Sequence, residues 1–230
     1  MKNSPLSRGS RAFSMVELIV VISIIVIIAA FTIPAASTML RGSQLTQGSQ
    51  ILVDQMSLAR QTALGKNRSV EVRFYRYGDP EIPGEEKDKP ETGDFRAIQL
   101  FEVLESGATV PLNKFQTLPP TVIMSPEDLS SLIDENVMGK AKNAEKDDES
   151  APELPRGIGR KYEYVSFRFM QDGSTNLKQT KNWFVTLHRA RRSPDEKFTQ
   201  QSLEKEVPNF FTLQIDPVSG TTKSYRPTAA

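Results

Sequence analysis

The chain contains no cysteine and only one histidine, His188. The first absence excludes disulfides, thiol catalysis, cysteine-ligated metal and a lipid-modified cysteine anchor. The second puts the common zinc sites out of reach. No phosphate-cradling glycine loop and no nucleophile elbow occurs in the 230 residues. Neither sign of charge is in excess, with 29 Lys and Arg against 28 Asp and Glu, so the balance makes no case for a nucleic-acid binder. Twenty-eight acids offer many accidental carboxylate pairs, and none stands out. No catalytic residue, no metal site and no cofactor is therefore expected.

A different absence is positive evidence. From Leu18 to Ala36 there are nineteen residues without a charge, long enough to span a bilayer as a helix. One acid, Glu17, stands at the mouth of this run, within Arg11-Ala12-Phe13-Ser14-Met15-Val16-Glu17-Leu18. A carboxylate at the centre of such a helix costs about 3 kcal/mol, whereas near a chain end it can stay at the interface. Residues 1 to 12 carry Lys2, Arg8 and Arg11 and no acid, which places them in the cytoplasm and the rest of the chain outside. Losing those twelve residues would leave 26 basic residues against 28 acids. Three readings of the segment stand side by side: a cleaved leader ahead of a retained helix, a plain signal anchor, and a signal peptide cut near Ala35-Ala36-Ser37. An anchor has no use for Glu17, and a signal peptide has a shorter apolar core without an acid in it.

The residues favouring the first reading carry a resemblance. A short basic leader, a small residue at the cut, Phe13 as first mature residue, Glu17 at mature position five and Pro34 at position twenty-two resemble the N-terminus of type IV prepilins and type II secretion pseudopilins. That family usually has Gly before the cut; this chain has Ala12, also small. The resemblance implies cleavage between Ala12 and Phe13 by a prepilin peptidase, N-methylation of Phe13, charge pairing through Glu17 during assembly and helix softening at Pro34. It also implies a bacterial inner-membrane, single-pass location with the N-terminus cytoplasmic and the head periplasmic. The implied partners are the peptidase, other pilin or pseudopilin subunits, the assembly platform and membrane lipid. A second likeness, from Leu58-Ala59-Arg60 through Asn67-Arg68-Ser69-Val70, is to minor pseudopilins of the GspH and FimT kind.

Beyond Pro34, apolar residues recur at Leu45, Leu52, Met56, Ala59 and Ala63, one face of a helix ending near Gly65-Lys66-Asn67. Residues 13–36 are thus the transmembrane or filament-core half of one long helix, and 37–66 its amphipathic half, with softening expected at Pro34 and Gly42. The remainder, 67–230, reads as a β-rich head. Ser69 to Phe74 alternates apolar and polar residues like a half-buried strand, and Arg96 to Leu104 reads as a strand pairing back on it. Further strands are expected at Thr121–Met124, Tyr164–Met170, Asn182–Leu187 and Phe210–Ile215. A turn falls at Asp172-Gly173, and a last hairpin closes through Asp216 to Gly220. Ser125-Pro126-Glu127-Asp128 reads as the start of a short helix through Leu129, Leu132, Ile133 and Val137. Mobile insertions are expected near 78–95, 139–160 and 189–208, rich in charge, Pro or Gly.

The fold class is α+β, a long N-terminal helix continuing into an antiparallel head. Two other functional signals are weaker. The acids Glu145, Asp147, Asp148 and Glu149 lack the alternation and turn glycine of a calcium loop. Arg189, Arg191, Arg192 and Lys197, beside His188, would suit a DNA-binding minor pilin, but Asp195 and Glu196 adjoin them and phosphate binding wants a larger basic surface. The expected function is a filament subunit, most simply a minor one; the alternative is a membrane-anchored exported domain that never polymerises and binds an envelope partner.

Overall fold

A computed structural model describes residues 14–125, 129–148, 151–155, 157–189 and 210–226, without the side chains of 29–42. Helix α1 runs Met15–Lys66. It contributes to two compact units, Met1–Leu40 and Arg41–Ala230. In the first unit the described structure is helix alone, opened by a bond from the Leu18 amide to the Ser14 carbonyl. The helical backbone passes through Pro34 and Gly42.

Within the second unit, α1 is amphipathic as its spacing demands. Leu45, Leu52, Met56, Ala59 and Ala63 are buried, while the Gln50 amide donates to Asp54 on the outer side at 2.7 Å. The helix stops because Asn67 turns left-handed at φ 52°, letting the Arg68 amide reach back to the Ala63 carbonyl at 3.2 Å. That reversal aims the chain into the first strand.

Ten strands among the described residues form one antiparallel sheet. They are β1 (Val70–Tyr77), β2 (Asp94–Val103), β3 (Thr109–Pro111), β4 (Gln116–Thr117), β5 (Val122–Met124), β6 (Lys142–Asn143), β7 (Glu163–Phe169), β8 (Trp183–Arg189), β9 (Phe211–Ile215) and β10 (Thr222–Tyr225). Their order is β10-β9-β8-β5-β2-β1-β7-β6, with β3 and β4 also paired to β2. Strand β1 lies between β2 and β7, with Val72 opposite both Leu100 and Phe167. On the face that meets α1, Val70, Val72, Phe74, Ile98, Leu100, Val165, Phe167 and Phe169 join the helix stripe in one apolar core.

Four features differ from the sequence reading, each for a physical reason. The polar face of β1 is not solvated, since Glu71 and Arg73 are each only 4% exposed. That face carries a second core, in which Tyr75, Tyr77, Ala97, Phe101 and Tyr164 are covered by Ala144, Ala151, Leu154, Ile158 and Tyr162. The stretch 139–160, read as an insertion almost without large apolar residues, supplies four of those covering residues.

The turn at Asp172-Gly173 forms, but it does not lead into a β7–β8 hairpin. After one bridge from Phe169 to Thr175 the chain leaves β7, and β8 pairs instead with β5 and β9. The Thr175 amide is held by the Pro217 carbonyl at 3.0 Å, and Leu177 is buried in the main core, which draws the chain across. Gly220 takes φ +63° in the last hairpin, and a Cβ there would stand 2.0 Å from the Gly173 carbonyl oxygen. Only glycine admits that approach.

Of the helix expected from Ser125, residues 126–128 lie outside the described residues, and from 129 on only α2 (Glu135–Met138) is α-helical, capped by Asp134, whose carboxylate accepts from the Asn136 amide at 2.8 Å. The preceding residues serve β8 instead. The Ser130 and Ser131 hydroxyls accept from the Thr186 and Phe184 amides, both at 2.9 Å, so side chains replace a neighbouring strand. The loop from β1 to β2 is likewise tied down, because Arg96 contacts Glu85 at 2.5 Å and Glu85 accepts from the Asp79 amide at 2.8 Å. Residues 190–209, including most of the insertion expected at 189–208, lie outside the described residues.

Met56 is fully buried where helix and sheet meet. Met56→Ala is expected to cost about 2–5 kcal/mol. Urea unfolding of the full chain in detergent micelles, followed by fluorescence of the sole tryptophan, Trp183, measures this.

Candidate functional site

Two parts of the chain carry unusual physical chemistry, one in each unit. The first is the helix from Met15 to Ile28. Met15, Val16, Leu18, Ile19, Val20, Val21, Ile22 and Ile24 to Ile28 are all exposed, from 47% at Val21 to 80% at Met15. The apolar surface runs all round the helix, with no polar face for water. Such a helix needs apolar surroundings on every side. Most of these residues are β-branched, which disfavours a solitary helix in water. The Ser23 hydroxyl donates back to the Ile19 carbonyl at 2.8 Å, so its donor is satisfied within the helix.

Glu17 is the acid of the first turn, where the helix amides favour a negative charge. The other residues expected to act with it are not placed. Ala12 and Phe13, the expected cleavage and methylation sites, lie outside the described residues, as does the basic leader. Pro34 falls in the helical backbone, with its side chain outside the description. Among the described residues no helix is long and apolar enough to cross a membrane. The described apolar side chains stop at Ile28, short of the expected span to Ala36.

The second part lies on the polar face of β1, and the sequence reading missed it. The Arg73 guanidinium is clamped between two rings, 4.2 Å from the centroid of Phe101 and 4.6 Å from that of Tyr164. Its Nε donates to Glu71 at 2.6 Å, one terminal nitrogen donates to the Thr109 hydroxyl at 3.1 Å, and the other lies 3.7 Å from Asp148. Glu71 also accepts from Arg168 at 2.9 Å, and the Tyr164 hydroxyl donates to Asp148 at 2.7 Å. Burial works against the Arg73 charge, but the charge and hydrogen bond of Glu71 outweigh it and raise its pKa.

Around this ion set stand Tyr75, Tyr162 and Tyr164, with ring centroids 5.3 to 6.3 Å apart. The available signal was the wrong parity of apolar residues. Tyr75, Tyr77, Ala97 and Phe101 occupy the positions that should face water, which means both faces are covered. Chemically the cluster is closed on itself: its charges are spent on one another and on holding Asp148 to the sheet.

The weaker signals gain no support among the described residues. His188 is 1% exposed, pairs across from Ile123, and its Nδ1 lies 2.6 Å from the Arg189 carbonyl, so it adds nothing to a basic surface. Arg191, Arg192 and Lys197 lie outside the described residues, as does Glu149. Asp147 accepts from the Asn143 amide and Asp148 from Tyr164, and among the described residues no group of three or more His, Asp or Glu is placed to hold a metal.

No family model and no curated protein matches the chain. Among solved structures it is similar to the type IV minor pilin FimU of Pseudomonas aeruginosa, at 12% identity and a TM-score of 0.38, covering 81% of this chain and 90% of that one. It is also similar to the minor pseudopilin EpsH from the type II secretion system of Vibrio cholerae, at 10% identity and a TM-score of 0.40, covering 82% and 97%. Overlaps this loose carry no argument, and the functional conclusion rests on the chain's own residues.

Burial pushes the Tyr162 hydroxyl up to about 12, and it pushes Tyr75 and Tyr164 higher still. An unfolded tyrosine ionises at about 10, so above that pH the unfolded chain sheds protons that the folded head retains, and stability falls as pH rises. Titration of tyrosinate absorbance is expected to show these three of the five tyrosines ionising only together with the loss of Trp183 fluorescence. Their ionisation in a still-folded head would contradict the closed cluster.

Proposed function

We propose that the chain is a pilin-like structural subunit: inserted in the bacterial inner membrane, cut between Ala12 and Phe13, N-methylated at Phe13 and assembled with other pilin or pseudopilin subunits into a filament. The observation that carries this reading is the helix from Met15 to Ile28, apolar on all sides, with Glu17 in its first turn as its one charged residue. Lipid satisfies such a helix before assembly, and neighbouring helices of the same kind satisfy it afterwards.

On this reading the chain is a substrate of the prepilin peptidase and a building block handled by the assembly platform, rather than a catalyst. A minor position in the filament fits a head enlarged by the segment over β1. Glu17 supplies the specific contact. In a dry bundle a carboxylate attracts the cationic amine of Phe13, on its own chain or a neighbour, far more strongly than it would in water. The hydrophobic run supplies cohesion without direction, and the charge pair supplies register.

The N-terminus of the protein from its native membrane, read by mass spectrometry, tests this directly. A chain beginning at N-methylated Phe13 is expected. One that retains Met1 or Lys2 would make the segment a plain anchor, and the function would then have to be sought in the head alone. Glu17→Ala is expected to be processed normally yet to be missing from filaments sheared off the cell; incorporation at the normal level would sink the charge-pairing mechanism.

A further inference from the structure

One polar cleft of the head plays no part in the filament reading. It has a volume of about 270 Å³ and lies where β9 and β10 meet the loop before β8. Gln179, Lys181 and Asn182 line it from that loop, Gln214 and Asp216 from β9 and the residue after it, and Lys223 from β10. Three chain segments thus converge on one volume, each bringing hydrogen-bonding groups. Lys223 stands directly opposite Gln214 in the β9–β10 ladder, which sets both side chains on the same face.

The charges in the cleft are unequally engaged. Lys66, Lys89 and Lys161 each pair with a carboxylate elsewhere in the chain, whereas among the described residues neither Lys181 nor Lys223 forms an ion pair. Asp216 is turned toward its own hairpin, accepting from the Val218 amide at 2.9 Å and the Ser219 amide at 3.3 Å. Those bonds, with a smaller contribution from the charge of Lys223, hold its carboxyl below the usual range, so it stays ionised. Lys181 and Lys223 are both exposed, so the cleft carries two positive charges against the one negative charge of Asp216.

We propose that this cleft is a docking site for an acidic peptide segment of another protein, with Lys181 and Lys223 receiving its carboxylates. Gln179 and Asn182 suit the intervening backbone, because each side-chain amide both donates and accepts, as a peptide group requires, while Gln214, whose oxygen accepts from the Tyr225 hydroxyl at 3.0 Å, offers its amide hydrogens. A nucleic acid fits less well. Two lysines are too few to follow a phosphate chain. The site lies wholly in the head, so it stands or falls independently of leader cleavage and filament entry.

The test uses the full chain in neutral detergent micelles and a fluorescently labelled, blocked peptide of alternating Glu and Ala, read by anisotropy. Binding is expected to weaken as salt is raised and to be about tenfold weaker in the Lys181→Gln/Lys223→Gln double variant, in line with loss of charge-pair contacts. Lys114→Gln, on an exposed residue outside the cleft, is expected to bind as the unaltered chain does. Trp183 fluorescence shows whether each variant is folded. Absence of binding by the unaltered chain, or equal binding by the folded double variant, would overturn the proposal. So would tighter binding of a single-stranded oligonucleotide than of the peptide, which would make the cleft a phosphate site.

Discussion

Strand β1 is covered on both faces, and most of the head is arranged to make that possible. Its even-numbered residues Val70, Val72 and Phe74 meet the helix stripe; its odd-numbered residues bring Glu71, Arg73 and Tyr75 out of water on the other side. An unpaired charge in such a place would cost several kcal/mol. Arg73 is tolerated because partners come to it from separated parts of the chain: Glu71 on its own strand, Thr109 from β3, Asp148 from the covering segment, and the rings of Phe101 and Tyr164. One guanidinium therefore holds four elements in register. The network reaches water through Arg168, whose side chain is 42% exposed.

This explains which parts of the fold were legible in the sequence. Residues Leu45 to Ala63 declared their helix because apolar spacing depends only on near neighbours, and Asn67 declared its end because few residues accept a left-handed backbone. The strand at Val70 was legible for the same reason, through its alternation. What covers each face was not. Glu71 and Arg73 look like a solvated edge until a segment 75 residues further on folds over them, and local pattern holds no record of that. The error at Ser125 has the same origin. Leu129, Leu132, Ile133 and Val137 carry helical spacing, yet the Ser130 and Ser131 hydroxyls among them are taken by β8 amides 56 and 53 residues later. Long-range demand for hydrogen bonds overrode local propensity.

The candidate site divides along the same line. Glu17 and the apolar run around it are legible because they are a departure from ordinary composition, one acid in a charge-free stretch. The polar cleft has no sequence signature, since Lys181 and Lys223 meet only through the pairing of β9 with β10 and the path of the loop before β8. Surface lysines and glutamines are common, and only the fold makes these convergent.

The two units also differ in how completely they satisfy themselves. Among the described residues, the head buries most of its large apolar side chains in two clusters and closes its inner charges into pairs, leaving polar groups such as those of the cleft to face outward. The helix from Met15 to Ile28 does the reverse, exposing apolar side chains at every position but Glu17 and Ser23 and carrying one charge. For lipid contact alone, or for packing among similar helices, a leucine in place of Glu17 would serve better, since a carboxylate in hydrocarbon is costly even near a helix end. On the filament reading the acid persists because a cation compensates it, and the only cation within a few residues after cleavage is the new amine at Phe13. An uncompensated amine would carry the same cost in the same dry environment. Each charge makes the other tolerable, so the pair discriminates a correctly placed neighbour from any other apolar helix, which hydrophobic contact by itself cannot do.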